Sequence, residues 1–325
     1  DVMGGDFAPA NPIEGAIMAS ERYPDVEVVL VGPEDVVRGE LGRHSAAPPF
    51  EIAHASQVIE MDEHPAQAVK SKKDSSMGVG MRLVKEQRVD AFFSAGNTGG
   101  MLAAGILYLG RIRGIKRPAL ASLLPSLGQP TLLLDLGANT DVKPEYLQQF
   151  ALMGSIYAEQ VLQRRSPRVG ILSNGEEEGK GSELVQEAYP LIQQLPINFK
   201  GNAEGRDIWN GSFDVIVTDG FTGNVVLKSA EGLGRMIREV LKDAFKGDPL
   251  SLVAGALFMP FGYRRLKKTM NPDEIGAAPL LGLNGVALVG HGSASAYAIQ
   301  SGIRTANQVA SSQFVEAVAD GVRQL

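Results

Sequence analysis

The chain has 325 residues, 44% of them hydrophobic, and a formal net charge of −6. That is enough to bury a large core, and the acidic balance argues against nucleic acid as a principal partner. With no cysteine, it has no disulfides, no thiolate metal site and no Cys nucleophile, and it suits a cytoplasmic setting. No apolar stretch approaches the ~20 residues that a membrane-spanning helix needs.

In chain order, apolar β-branched runs recur and each ends on a loop of Gly, Asn, Ser, Thr or Asp. They are VEVVLVG (26–32), VDAFFSAGNTGG (89–100), TLLLDLGANTD (131–141), RVGILSNGEEEGKG (168–181), FDVIVTDGFTGN (213–224) and VALVGHGS (286–293). Short continuous apolar runs read as strands buried on both faces, the signature of a mostly parallel sheet covered by helices. Residues 98–112 are expected as a buried helix and 144–162 as an amphipathic one with Pro144 in its first turn. Residues 182–194 and 224–245 repeat the order of strand, polar loop and helix. The expected fold is a three-layer α/β/α arrangement forming one catalytic domain over 1–325, with room for two subdomains.

Residues 248–270 break this pattern. LSLVAGALFMPFGY (250–263) is almost wholly apolar and runs directly into Arg264, Arg265, Lys267 and Lys268. Such a segment either lies in a membrane interface, through Leu250, Leu252, Leu257, Phe258 and Phe261 on an anionic surface, or is buried in a homodimer contact. Its basic flank also suits an acidic protein partner.

The polar loops carry the chemistry. Gly78-Val79-Gly80 and Gly290-His291-Gly292 are incomplete dinucleotide fingerprints, and the first strand turn lacks the pattern. Residues 175–181, GEEEGKG, have glycines too close together for a P-loop, and three glutamates would repel a triphosphate. Between an expected strand and helix stands SAGNTGG (94–100). There Ser94, Gly96, Asn97 and Thr98 offer hydrogen bonds beside a helix start, where free N–H groups favour an anion. Ordinary turn and capping chemistry also explains a single such loop. Similar loops at Asp135–Asn139, Ser173–Gly181, Thr218–Asn224 and Gly290–Ser293 are expected to converge with it on one sheet edge, where α/β proteins bind ligands. Lys180 can reach over that edge, Lys73 and Ser75 offer a further phosphate contact, and His291 alone among the four histidines stands in a strand-end loop. Asp and Glu are too dispersed along the chain to claim a metal site.

DVMGGDFAP (1–9), MDEHPAQAVKSKKDSSM (61–77), SAGNTGG, DLGAN, LSNGEEEGKG, GNAEGRDI (201–208), DVIVTDGFTGNVVLK (214–228) and APLLGLNGVALVGHGS (278–293) follow one another in an order that resembles the bacterial phosphate acyltransferase family, PlsX. The resemblance spans almost the whole chain. It implies transfer of a fatty acyl group from acyl carrier protein to inorganic phosphate, giving acyl phosphate for phospholipid synthesis, with no cofactor. It also implies a homodimer, an isocitrate-dehydrogenase-like α/β/α fold, and a cytoplasmic enzyme peripherally bound to membrane. Two positions depart from the family pattern: Ala277 stands where a second glycine is usual, and Ala294 where a second serine is common.

The inventory suits that reaction. Phosphate is already a nucleophile and a thiol with a pKa near ~8.5 leaves readily, so alignment and oxyanion stabilisation suffice without a covalent enzyme intermediate. Ser94, Gly96, Asn97, Thr98, Asn139, Asn174, Lys73 and Ser75 are the expected substrate contacts. Lys180, His291 and Asn224 are the candidates for charge stabilisation or proton management. A short-chain phosphotransacylase using acyl-coenzyme A, or a non-enzymatic membrane scaffold for acyl carrier protein, are the alternatives.

Overall fold

A computed structural model of the protein describes residues 1–45, 47–246 and 272–323. The apolar and basic excursion at 248–270, with Leu250, Leu252, Leu257, Phe258 and Phe261, lies outside the described residues. In chain order the elements are α1 (Ala10–Arg22), β1 (Val29–Gly32), α2 (Glu34–Leu41), β2 (Glu51–His54), α3 (Pro65–Ser71), α4 (Ser76–Lys85), β3 (Ala91–Ser94), α5 (Thr98–Ala104) and β4 (Ala119–Leu124). Then come β5 (Thr131–Leu134), α6 (Pro144–Gln160), β6 (Val169–Leu172), α7 (Glu183–Gln193), β7 (Phe199–Ala203), α8 (Asp207–Asn210), β8 (Val215–Val217) and α9 (Gly220–Lys246). After the undescribed stretch follow β9 (Ala278–Leu281), β10 (Val286–Val289), α10 (Ala296–Ala310) and α11 (Phe314–Val322).

Helix starts follow the local chemistry that the sequence advertises. Asn97, Ser75, Ser182 and Ser295 each accept a hydrogen bond from a first-turn N–H, capping α5, α4, α7 and α10. The expected helix over 98–112 is shorter. An α-helical turn to Ala104 passes into a π-helical turn, Gly105–Leu109, and Gly110 at φ 76° ends it. Helix α9 begins four residues before the expected start, because the Asp219 carboxylate accepts from Thr222 N (2.8 Å) and Thr222 Oγ1 (2.7 Å).

Eight strands form one sheet in the order β3-β10-β9-β4-β5-β8-β6-β7, and β1 and β2 pair in parallel beside it. Strands β5, β8, β6 and β7 are mutually parallel, as are β3 and β10. Between these blocks β10–β9, β9–β4 and β4–β5 are all antiparallel. Three reversals in succession turn β3 and β10 against β5, β6 and β8.

Side chains alternate across the sheet and both faces are buried, so three layers result. Leu133 and Ile216 join α4 and α5 in one core through Met77, Met81 and Met101. Leu132, Leu134, Val215 and Val217 join α6 and α11 in the other, through Phe150, Met153 and Val318. Each fully buried Leu, Val or Phe contributes about 1.5–3 kcal/mol over leaving it exposed. At the departure from the family pattern, Gly276 takes the positive φ (73°) and Ala277 is not among the positive-φ residues, so the added methyl is tolerated.

Candidate functional site

The strand directions divide the site residues predicted from sequence into two groups. Loops after β3 and β10 lie on one edge of the sheet, and loops after β5, β6 and β8 on the opposite edge. The expected convergence on a single edge is therefore corrected. Two apolar runs that end in similar loops say nothing about which way each strand enters the sheet.

On the first edge the buried side chains of Ser94, Asn97 and Ser75 are committed to structure. Ser94 is buried, its Oγ donating to Asp1 Oδ2 (2.7 Å) and accepting from Gly96 N (3.0 Å). Asn97 is also buried. Its Nδ2 donates to the carbonyls of Glu60, Met61 and Glu63 (3.2 Å each) and its Oδ1 accepts from Gly100 N (2.9 Å). Ser75 spends its hydroxyl on Gly78 N (3.2 Å). Gly96 is buried beside Gly4, where a Cβ on Gly4 would stand 2.8 Å from Gly96 N. Thr98 and Lys73 are exposed. His291 is exposed and packs on its own loop, with Nδ1 2.8 Å from Ser293 Oγ and accepting from Ser293 N at 3.2 Å. That bond fixes Nδ1 as an acceptor, which puts the proton of the neutral ring on Nε2.

The opposite edge is differently equipped. Asp135, fully buried at the end of β5, accepts five hydrogen bonds: from Leu120 N, Gly137 N and Ala138 N at Oδ1, and from Asn139 N and Asn139 Nδ2 at Oδ2. Burial pushes its carboxyl above the ordinary range, while the N–H donors pull the other way. The sequence reading placed this loop at the site but passed over Asp135 itself. An acidic residue closing a wholly apolar strand and followed by Gly-Ala-Asn was the available signal.

Asn139 donates its second Nδ2 hydrogen to Pro118 O (2.7 Å), just before β4, and its carbonyl accepts from Gly220 N (2.8 Å) at the start of α9. This packing requires glycine: a Cβ on Gly223 would stand 1.9 Å from Asp135 O, and one on Gly220 2.4 Å from Asn139 O. Asn224 follows one residue later, exposed, with its Cβ 3.7 Å from where a Cβ on Gly137 would sit.

Alongside, a cavity of about 130 Å³ lies between α6, β6, β8 and the start of α7, lined by Ser173, Asn174, Ser182, Thr218, Asp219 and Thr222 among others. Ser173 Oγ is buried there without a hydrogen-bond partner among the described residues. Asn174 Oδ1 accepts from Gly181 N (2.9 Å), leaving its Nδ2 with no bond among the described residues, and Lys180 is exposed on the same loop. The first turns of α7 and α9 both open onto this region, adding N–H donors to the Asn and Lys side chains. The loops that carry Asn139, Asn174, Lys180 and Asn224 thus share one sheet edge, and those that carry Ser94, Asn97 and His291 lie on the other.

Folding also gathers three carboxylates that the sequence scatters. Ligand atoms of Glu176, Glu204 and Asp207 lie within 4.8 Å of one another. Arg206 already pairs with two of them, at 2.8 Å from Glu176 and 2.5 Å from Glu204, and offsets part of the cluster's charge.

The three-layer α/β/α architecture is one that solved phosphotransacetylases share. A phosphotransacetylase from Streptococcus pyogenes superposes with a TM-score of 0.61 over 93% of this chain and 92% of its own, at 16% identity. The sequence narrows the class further. Residues 1–317 match the family model described as fatty acid synthesis protein. The chain is 52% identical over 312 residues to a phosphate acyltransferase of Acidobacterium capsulatum (95% of this chain, 92% of the relative). It is 49% identical over 319 residues to one of Desulfitobacterium hafniense (98% and 95%). The chain belongs to the phosphate acyltransferase (PlsX) family, and is an acyltransferase of fatty acid and phospholipid synthesis.

Proposed function

We propose that the protein transfers a fatty acyl group from acyl carrier protein to inorganic phosphate, and that the chemistry takes place on the edge formed by β5, β6 and β8. What carries this reading is the uncommitted polar equipment there: Lys180, Asn224 and the Asn174 amide beside the N-termini of α7 and α9. Phosphate sits against Asn174 and Asn224, while Asn139, whose amide hydrogens are both spent on Asp135 and Pro118, holds the edge together. One of its oxygens attacks the thioester carbonyl carbon, the carbonyl oxygen takes up the negative charge, and collapse of the tetrahedral species breaks the C–S bond. The thiolate leaves without an acid, and acyl phosphate remains. Lys180 and the helix-start N–H groups stabilise the oxyanion.

The wider reading is a cytoplasmic enzyme working as a homodimer against an anionic membrane surface. Helix α9 supports the dimer, since Leu233, Met236 and Val240 are all more than half exposed on it. No helix among the described residues is long and apolar enough to cross a membrane.

The test is incubation with phosphate and either long-chain acyl carrier protein or acetyl-coenzyme A, trapping acyl phosphate with hydroxylamine. Acyl hydroxamate from the carrier-protein donor is the expected result. Its absence sinks the reading, and hydroxamate from acetyl-coenzyme A alone would reassign the protein as a short-chain phosphotransacylase.

A further inference from the structure

A second cavity, of about 390 Å³, opens on the same sheet edge and is lined by Ile106, Arg111, Lys116, Arg117, Pro118 and Tyr146. We propose that it receives the phosphate group of the phosphopantetheine arm on which the acyl donor carries its thioester. This rests on the thioester reading given above, and it holds whether the arm belongs to a carrier protein or to coenzyme A.

Charge is the first argument. Residues 110–118, GRIRGIKRP, hold Arg111, Arg113, Lys116 and Arg117 within seven positions of a chain whose net charge is −6. All four are exposed, and among the described residues none of them forms an ion pair with a carboxylate. Three uncompensated cations around one concave site make a strong local field for an anion.

Rigidity is the second. The loop is pinned from several sides: Lys116 N donates to Gln149 Oε1 (2.8 Å), Gln149 Nε2 to Gly114 O (3.0 Å), Ile112 N to Gly282 O (3.0 Å) and Asn284 N to Gly110 O (3.0 Å). The Arg111 guanidinium donates to the Lys116 carbonyl. Gln149 is a buried amide given over wholly to this loop. A solvated basic face needs no such support, whereas a binding site benefits from preorganisation.

Lining chemistry and position are the third and fourth. Guanidinium groups match phosphate oxygens in pairs, and Ile106, Pro118 and Tyr146 offer apolar walls to the pantetheine chain. Pro118 belongs to both places at once: it lines the cavity, and its carbonyl accepts from Asn139 Nδ2 at the proposed reaction edge. An arm anchored by its phosphate in the cavity is thereby set beside that edge.

Calorimetric titration of the full chain with 4′-phosphopantetheine and with pantetheine tests this without any turnover, so its outcome is separate from that of the hydroxamate assay. The phosphorylated probe is expected to bind about tenfold tighter or more. That ratio should collapse in the double variant Lys116→Glu/Arg117→Glu, and persist in Arg165→Glu, which alters an exposed cation elsewhere. The neutral pair Lys116→Gln/Arg117→Gln serves if charge reversal impairs folding. Equal affinity of the wild type for both probes, or an undiminished ratio in the double variant, would each overturn the proposal.

Discussion

Replacing Asp135 by Ala should cost the protein about 4 kcal/mol of stability. The carboxylate collects the N–H groups of Leu120, Gly137, Ala138 and Asn139 together with Asn139 Nδ2, in a position closed to water. Truncation strands four backbone donors, each costing about 1–3 kcal/mol when buried without a partner. The low end of that range applies, because the loop can relax and some donors will find water. The estimate lies within the roughly 3–5 kcal/mol seen when one member of a buried charged network is removed. Urea unfolding followed by circular dichroism and tryptophan fluorescence measures it, as a lower midpoint with an unchanged slope. Asn139, Pro118 and the start of α9 all hang on this loop, so acyl phosphate formation should fall in the same variant even at temperatures where it stays folded. A loss below about 1 kcal/mol would refute the reasoning, since it would mean that solvent satisfies those donors and the carboxylate does not organise the edge.

Other expectations follow from the same geometry. Lys180→Ala should lower kcat by about a hundredfold with an unchanged melting temperature, as loss of one oxyanion-stabilising group does; a kcat within twofold of wild type would remove Lys180 from the chemistry. Asn97→Ala, by contrast, should reduce stability by about 0.5–2 kcal/mol and leave the KM for phosphate untouched. A rise in that KM would return the 94–98 loop to the substrate site. Burial alone would raise the Asp214 carboxyl, but hydrogen bonds from the Arg168 side chain and backbone outweigh it and hold the group below the ordinary carboxylate range. A depressed folded-state value contributes stability above the unfolded-state pKa of about 4, and that stability is lost as the pH falls through the folded value. Asp214→Asn should therefore flatten acid destabilisation below about pH 4 and leave the slope above pH 5 unchanged, as read by urea midpoints across pH. Finally, Met236→Asp and Leu233→Asp on α9 should weaken self-association in sedimentation velocity. A single sedimenting species identical to wild type would take α9 out of the dimer contact.

Some of this site was legible before folding and some was not. Asn97 stood in a sequence pattern that suits both capping and ligand binding, and the structure assigns it to capping, as it does Ser75: Asn97 spends both ends of its amide, and Ser75 Oγ accepts from Gly78 N. Lys180 and Asn224 look no more distinctive in sequence, and they emerge as candidates because they are exposed on the edge shared by β5, β6 and β8 with no partner among the described residues. The basic run at 111–117 drew no notice as a sequence, since four cations in a loop usually mean a solvated surface. Only the pinning by Gln149, 32 positions beyond Arg117, and the lack of carboxylate partners among the described residues give it meaning.

The sequence by itself determined the alternation of apolar strand, small polar loop and helix, the burial of the sheet on both faces, and the family. These depend on periodicity and local hydrogen-bonding chemistry, which a short window contains. Tertiary structure alone decided the direction of each strand, and hence which loops share an edge. An apolar run buried on both faces reads the same whether its neighbour runs parallel or antiparallel, because the choice is made by hydrogen bonds to residues far away in the chain. The pairings of β4 and β9 therefore separate His291 and Ser94 from Lys180, Asn139 and Asn224, and bring Pro118 and its basic loop to the edge where the acyl group is proposed to move.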